Sequence, residues 1–226
     1  MKARLATRKA IQTYREHGLR GLFRSVAGVY GNAEPDDFDV ARGTETTQDV
    51  PLWKMRIASP NVSHGTRYQA FGESELITAI ALLPENPDDF CFIDLGCGKG
   101  RALMIASELG FKSVIGVEFA SELVEVAKAN LARMASSNVI VVEEDASQFQ
   151  FPAGDLVVFL NNPFGQVIVD NVIANLPRSE AAKLYIIYKR PILAARFDAA
   201  TFLERMESPP HLDIALWRKR AMLQSN

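Results

Sequence analysis

A glycine-rich stretch between a predicted strand and a predicted helix constrains this sequence most. Residues 94–101 read Asp-Leu-Gly-Cys-Gly-Lys-Gly-Arg, so every second position from Gly96 to Gly100 is glycine. Glycines let a chain turn sharply and let a ligand approach the backbone, while the start of the next helix offers unpaired N–H groups to polar atoms. Glu118 comes 22 residues after Gly96, at the end of the next predicted strand, where a carboxylate can accept both hydroxyls of a ribose. We therefore expect a βα turn that binds a nucleoside.

From residue 73 onward, apolar runs of strand length alternate with runs of helical periodicity. The predicted strands are 90–95, 113–119, 139–142, 156–160, 184–188, 202–207 and 212–217, and the predicted helices are 73–83, 101–109, 121–135 and 166–176. This alternation is typical of βαβ units and predicts an α/β fold with a doubly wound, mostly parallel sheet. Because only a short link joins the last two strands, we expect them to form an antiparallel C-terminal hairpin at the edge of the sheet.

The spacing of the glycines separates two classes of nucleoside ligand. A dinucleotide fingerprint needs G-x-G-x-x-G, but here the third glycine comes one residue early and Arg101 stands in its place. Asp94 precedes the first glycine by two residues, where a carboxylate could reach a ligand's ammonium group. The pattern favours a nucleoside that carries an amino acid over one that carries a pyrophosphate. An oxidoreductase that uses a dinucleotide stays open as the alternative.

Four motifs in order resemble those of the class I S-adenosylmethionine-dependent methyltransferases. They are residues 92–100, 116–119, 144–146 and 161–164. The resemblance spans about residues 68 to 220 and implies a seven-stranded sheet that ends in an antiparallel hairpin, with S-adenosyl-L-methionine as cofactor.

The resemblance also implies roles for single residues. The methionine part of the cofactor would be surrounded by Asp94 and by the loop residues Gly96, Cys97, Gly98, Gly100 and Arg101. The ribose hydroxyls would bind to Glu118. The adenine would be contacted by Phe119, Asp145 and Ala146. Two alternatives stay open. Asp145 can simply cap the segment after its strand, and Lys99 and Arg101 can be solvent-facing cations of the first helical turn.

The motif Asn-Asn-Pro-Phe-Gly begins at Asn161, directly after predicted strand 156–160, where doubly wound folds bind substrate. Residues 158–165 resemble the substrate-side segment of the non-SET histone lysine methyltransferases, the disruptor-of-telomeric-silencing type. This resemblance implies N-methylation of an amine such as a protein lysine, with Asn161 positioning the amine beside the cofactor and Phe164 and Tyr68 enclosing it.

The sequence also departs from that narrower family. Pro163 replaces an aromatic or small residue, and the chain has no long basic tail for chromatin, so an amine acceptor is favoured without implying histone. A small-molecule O- or N-methyltransferase is the alternative, and Asn-Asn-Pro can also be a plain turn that ends a strand.

Charge divides the chain into unlike parts. The first 26 residues hold seven basic side chains against one acid, leaving +6 there and about −8 on the rest of a chain of net charge −2. We predict a basic amphipathic helical arm at 1–30, an irregular lid or linker at 31–67, and the methyltransferase domain at 68–226. Several roles of the arm stay open. It could pack on the domain, form a homodimer or bind a membrane surface. It could also be a targeting segment, or it could localise a protein that binds partners without catalysis.

Composition excludes several other classes. The slightly negative net charge argues against a protein that coats nucleic acid, and the sequence has no run of about 18 apolar residues. Two cysteines cannot make a disulfide framework, which favours a reducing, cytoplasmic setting. The three histidines and two cysteines show no metal-ligand spacing, so we expect no metal.

Overall fold

The computed structural model describes residues 34–47, 70–134, 137–161 and 164–221, which form one seven-stranded sheet flanked by helices. The strands are β1 Cys91–Leu95, β2 Ser113–Glu118, β3 Val139–Glu143, β4 Leu156–Asn161, β5 Leu184–Lys189, β6 Leu203–Met206 and β7 Ile214–Lys219. The α-helices are α1 Asp37–Arg42, α2 Glu73–Ala81, α3 Arg101–Glu108, α4 Ser121–Leu131, α5 Gln166–Asn175 and α6 Ala194–Asp198. Short 3-10 turns occupy Pro87–Asp89, Leu176–Ser179 and Pro210–Leu212.

The strand order is β3-β2-β1-β4-β5-β7-β6, and neighbours from β3 to β5 run parallel. β7 inserts antiparallel between β5 and β6, which confirms the predicted C-terminal hairpin and the doubly wound, mostly parallel sheet. The chain leaves β1 toward β2 and later returns to β4 on the other side of β1. This reversal opens a crevice at the carboxyl ends of the strands, where such folds bind ligands.

Both faces of the sheet are buried, which explains the nearly continuous apolar runs of the central strands. On one face, side chains of α2 and α3 pack against Phe92 and Phe159. On the other face, α5 and α6 pack against Ile93 and Trp217. Tyr185 and Tyr188 of β5 contribute to opposite faces of the sheet.

The segment 31–67 was expected to be irregular, and that expectation is wrong for part of it. Helix α1 forms there because the Asp36 carboxylate caps it by accepting from the Asp39 N–H at 3.1 Å. Gly43 ends the helix in the left-handed region, with a φ of 64°. The two-turn helix is too short for a periodic pattern to reveal.

Several predictions fall on residues that the structure does not describe. These are the basic arm at 1–30, residues 48–67 of the lid or linker, and Tyr68, Asn162 and Pro163. Within the described ranges, no helix combines the length and apolar character needed to cross a membrane. Cys91 and Cys97 are both free thiols.

Candidate cofactor and acceptor site

The glycine loop between β1 and α3 adopts a backbone that few other residues could follow. Gly96, Gly98 and Gly100 have φ values of 78°, 54° and 87°, in the left-handed region that glycine enters at little cost. The N–H groups of Gly96 and Cys97 donate to the Val117 carbonyl at 2.8 and 3.1 Å, which ties the loop to the end of β2. No side chain caps the N-terminus of α3, where Gly100 is the capping residue.

A glycine in the neighbouring strand allows this close approach. A Cβ at Gly116 would lie 2.5 Å from Leu103 Cδ1 and 2.8 Å from Cys97 Sγ. In the sheet Gly116 is paired with Asp94 of β1 and Val141 of β3, so its backbone has little room to move away. The missing side chain therefore lets both the loop and α3 rest directly on β2.

Two buried carboxylates stand at the ends of β1 and β2. One oxygen of Glu118 accepts from the N–H groups of Phe119 and Ala120, and the other from Gly98, each at 3.0 Å. Burial raises the pKa of Glu118 to about 7, although these hydrogen bonds lower it. Burial, with repulsion from Glu118, also raises the pKa of Asp94 well above its ordinary value. A cationic or hydroxyl-bearing ligand would relieve this cost.

A cavity lies beside the loop, at the carboxyl ends of β1, β2 and β3. Its lining residues are Gly96, Val117, Phe119, Glu144, Asp145, Ala146, Phe164 and Ile168. The structure thus brings together five residues that the sequence singled out: Gly96, Phe119, Asp145, Ala146 and Phe164. Val117, Glu144 and Ile168 were missed as site residues. Glu144 belongs to the third motif, whereas Ile168 sits in the first turn of α5 and resembles any other core residue.

Asp145 also makes the capping contact that its alternative interpretation predicted. Its Oδ1 accepts from the Ser147 N–H at 2.9 Å, and its backbone carbonyl accepts from the Gln148 N–H at 2.9 Å. These bonds fix the turn after β3 and hold the Asp145 side chain at the wall of the cavity. A structural role and a ligand-binding role are therefore compatible at this position.

Lys99 and Arg101 are not solvent-facing cations, so that alternative is wrong. Their side chains are 1% and 3% exposed. The Arg101 guanidinium bonds to Asp36, to Thr46 and to the Phe71 carbonyl, and Lys99 pairs with Glu45. Arg101 was predicted among the cofactor contacts, but its side chain is engaged with these residues and does not line the cavity.

The ends of β4 and β5 lie next to each other at the same edge of the sheet. Asn161 is the last residue of β4 and is paired in register with Lys189. Phe164 is nearly buried and borders the cavity. The Lys189 ammonium lies 2.9 Å from Oε1 of Glu75, whose Oε2 accepts from the Gly72 N–H at 3.1 Å. This pair joins the end of β5 to the start of α2.

Fold and site together define a Rossmann-like α/β domain, with a crevice between its glycine loop and the ends of β2 and β3. A ligand with ammonium, ribose and adenine groups would fit the side chains at this edge. These are the carboxylates of Asp94 and Glu118, the aromatic ring of Phe119 and the polar side chain of Asp145. Within the described part of the chain, no group of three or more His, Cys, Asp or Glu residues is arranged to hold a metal ion.

Residues 92–179 match the family model of a methyltransferase domain. No curated protein matches the chain. A TehB-like S-adenosylmethionine-dependent methyltransferase of Corynebacterium glutamicum has a similar structure, with 20% identity, a TM-score of 0.50, and coverage of 67% of this chain and 89% of that one. A Pyrococcus horikoshii protein provisionally described as an RNA methyltransferase has 20% identity and a TM-score of 0.51, over 84% and 97% of the two chains.

A third similar structure is a Listeria monocytogenes protein predicted to be an N6-adenine-specific DNA methylase, with 14% identity and a TM-score of 0.53 over 67% and 51% of the two chains. At these identities the three structures share the fold alone. The family match at 92–179, together with this fold, supports a methyltransferase that uses S-adenosylmethionine as its cofactor.

Proposed function

We propose that this enzyme N-methylates an amine, such as the side chain of a protein lysine, with Asn161 positioning the acceptor. One observation carries the proposal: Phe164, three residues beyond the end of β4, lines the same cavity as Gly96 and Asp145. Within the motif that begins at Asn161, Phe164 therefore borders the cofactor cavity. Tyr68, which lies outside the described residues, is proposed to enclose the acceptor together with Phe164.

S-adenosylmethionine supplies an electrophilic methyl group, so the protein's main tasks are to align the nucleophile and to exclude water. Phe164 suits the second task because it is 9% exposed and presents an apolar surface to the cavity. Asn161 suits the first task because its amide and backbone oxygens can accept hydrogen bonds from an N–H group. An amine held in this way would direct its lone pair toward the methyl group once it has lost its proton.

The charges near Asn161 are compatible with an amine acceptor. Lys189 is its neighbour in the sheet, but the Lys189 ammonium is paired with Glu75 at 2.9 Å. A paired ammonium repels an approaching cation less than an unpaired one, because the carboxylate offsets its field. Electrostatic repulsion by Lys189 therefore does not prevent a basic acceptor from approaching the edge where β4 and β5 end.

The test is methyl transfer from S-adenosylmethionine with a labelled methyl group to fractionated cell extract. We expect label in the protein fraction, recovered as ε-N-methyllysine after acid hydrolysis. Asn161→Ala should lower the transfer rate by about 100-fold, because about 1 Å of misplacement costs that much. Asn86→Ala is the matched control, since Asn86 is exposed just before the 3-10 turn that precedes β1.

Other outcomes contradict the proposal in distinguishable ways. Label in nucleic acid or in small molecules would assign a different acceptor class, and base-labile label would indicate methyl esters rather than methylamines. Cofactor binding with no transfer to any fraction would favour a non-catalytic scaffold. NADH fluorescence enhancement on mixing would favour the oxidoreductase alternative.

A further inference from the structure

We call residues 36–47 the brace. The brace precedes residues 92–179, which match the methyltransferase family model, and it packs against the first turn of α3. The Asp39 carboxylate organises the brace from within. Its two oxygens accept five hydrogen bonds of 2.7–2.8 Å from the hydroxyls of Thr44, Thr46 and Thr47 and from the N–H groups of Thr46 and Thr47. Burial would raise the pKa of Asp39, but these bonds lower it to about 2. The brace is therefore a folded unit and not a loose linker.

The brace holds Arg101, the first residue of α3, from several directions. Arg101 Nη2 donates to both carboxylate oxygens of Asp36 at 2.8 and 2.7 Å, and Nε donates to Thr46 Oγ1 at 2.8 Å. The guanidinium also lies over the Phe38 ring, 4.4 Å from its centroid. A buried arginine with this many partners has one orientation, because losing any of them leaves part of the charge unsolvated.

A second set of contacts fixes the loop on the other side of Gly100. The Lys99 ammonium is paired with the Glu45 carboxylate. Asn130, near the end of α4, accepts from the Glu45 N–H at 3.0 Å and donates to the Glu45 carbonyl at 3.1 Å. Its amide also donates to the Lys99 carbonyl at 3.0 Å. The brace, α4 and the glycine loop thus share one hydrogen-bonded network.

We propose that the brace residues that contact Arg101 and Lys99, namely Asp36, Thr46 and Glu45, are a functional part of the cofactor site. In this proposal Arg101 is a positioning residue, which holds the glycine loop in the conformation that binds S-adenosylmethionine. Three glycines in alternate positions give an unrestrained loop many conformations, and ordering them at the moment of binding would reduce affinity. Anchors on both sides of Gly100 order the loop in advance. The proposal rests on the assignment of S-adenosylmethionine as cofactor.

The test compares two substitutions of Asp36 in the full-length chain. Asp36→Ala removes the carboxylate that holds Arg101 and also the N-cap of α1, whereas Asp36→Asn keeps an oxygen for the cap and removes the charge. Arg42→Ala is the matched control, because Arg42 anchors the same brace to Glu73 and Glu108. Neither partner belongs to the glycine loop.

Two measurements are made on each variant. Calorimetry gives the affinity for S-adenosylhomocysteine, and hydrogen exchange of the ligand-free protein gives the protection of the amides of residues 96–101. We expect Asp36→Ala to weaken binding about tenfold and to speed exchange in these residues, with a smaller effect for Asp36→Asn. Arg42→Ala should keep the affinity within about twofold of wild type.

The outcomes separate failure of this inference from failure of the cofactor assignment. Unchanged affinity in both Asp36 variants, or equal losses in the Asp36 and Arg42 variants, would reduce the brace to general structural support and overturn the proposal. If the wild-type protein binds no S-adenosylhomocysteine, the assignment of S-adenosylmethionine as cofactor is wrong, and the proposed role of the brace is wrong with it. If Asp36→Ala does not fold, Asp36→Asn decides between the outcomes.

Discussion

Replacing Gly116 by alanine should damage both the stability of the domain and its cofactor loop. The added Cβ would stand 2.5 Å from Leu103 Cδ1, 2.8 Å from Cys97 Sγ and 3.1 Å from Cys97 Cβ. β2 is hydrogen-bonded to a strand on each side, so Leu103 and Cys97 must move instead of the strand. Overpacking of this kind costs about 2 kcal/mol.

The expected loss is measurable by thermal unfolding. For a domain of this size, about 2 kcal/mol corresponds to a melting temperature about 4–8 °C lower. Displacement of Cys97 moves the loop that includes Gly96 and Gly98, so we also expect about tenfold weaker binding of S-adenosylhomocysteine, equivalent to about 1.4 kcal/mol. Gly72→Ala is the matched control, because its Cβ would meet nothing closer than the Glu75 carboxylate at 3.4 Å.

A double-mutant cycle tests the stated cause. Leu103→Val removes the atom nearest to the new methyl group, at its own cost of about 1 kcal/mol. If crowding against Leu103 causes the damage, the double variant loses less stability than the sum of the two single variants. A melting temperature for Gly116→Ala within about 1 °C of wild type, or strictly additive losses, would refute the reasoning.

Two further predictions concern residues at the end of β2. Burial raises the pKa of Glu118 from 4.5 to about 7, so the folded protein keeps a proton that the unfolded chain has lost. The contribution of Glu118 to the free energy of unfolding should therefore be greatest below about pH 4.5 and should be lost, by about 3 kcal/mol, as the pH rises through 7. Glu118→Gln should flatten this fall in thermal unfolding at pH 5 and pH 8, and an unchanged slope would contradict the assignment. Phe119→Ala should weaken S-adenosylhomocysteine binding about tenfold by calorimetry, since stacking on an aromatic ring contributes about 1–3 kcal/mol per base; an affinity within twofold of wild type would remove Phe119 from the adenine site.

The sheet could be predicted from the sequence because its signals are local. The apolar runs at β1, β4 and β5 are continuous, as strands buried on both faces require, and the link between β6 and β7 is short enough for a hairpin. Helices α1 and α6, with six and five residues, escaped prediction because neither is long enough to show a periodic pattern. Such helices form through caps and tertiary contacts.

Site residues could be predicted from the sequence where they come directly after a strand. Gly96, Phe119 and Asp145 come from three successive strands, and the parallel topology brings them to one cavity. The burial of Lys99 and Arg101 was not predictable in this way. Their carboxylate partners lie 54 and 65 residues earlier in the chain, and no local pattern indicates which distant acid will reach a given cation.

The position of β3 at the edge of the sheet bears on how these molecules meet one another. β3 reads Val-Ile-Val-Val-Glu, pairs with β2 alone among the described strands, and leaves Ile140 57% exposed. A β-branched strand whose outer edge pairs with no other described strand is a template for strand addition from a second chain. The strand whose end borders the cavity is therefore also the edge at which we expect a second copy to add at high concentration, and a charged residue in place of Ile140 should oppose this addition.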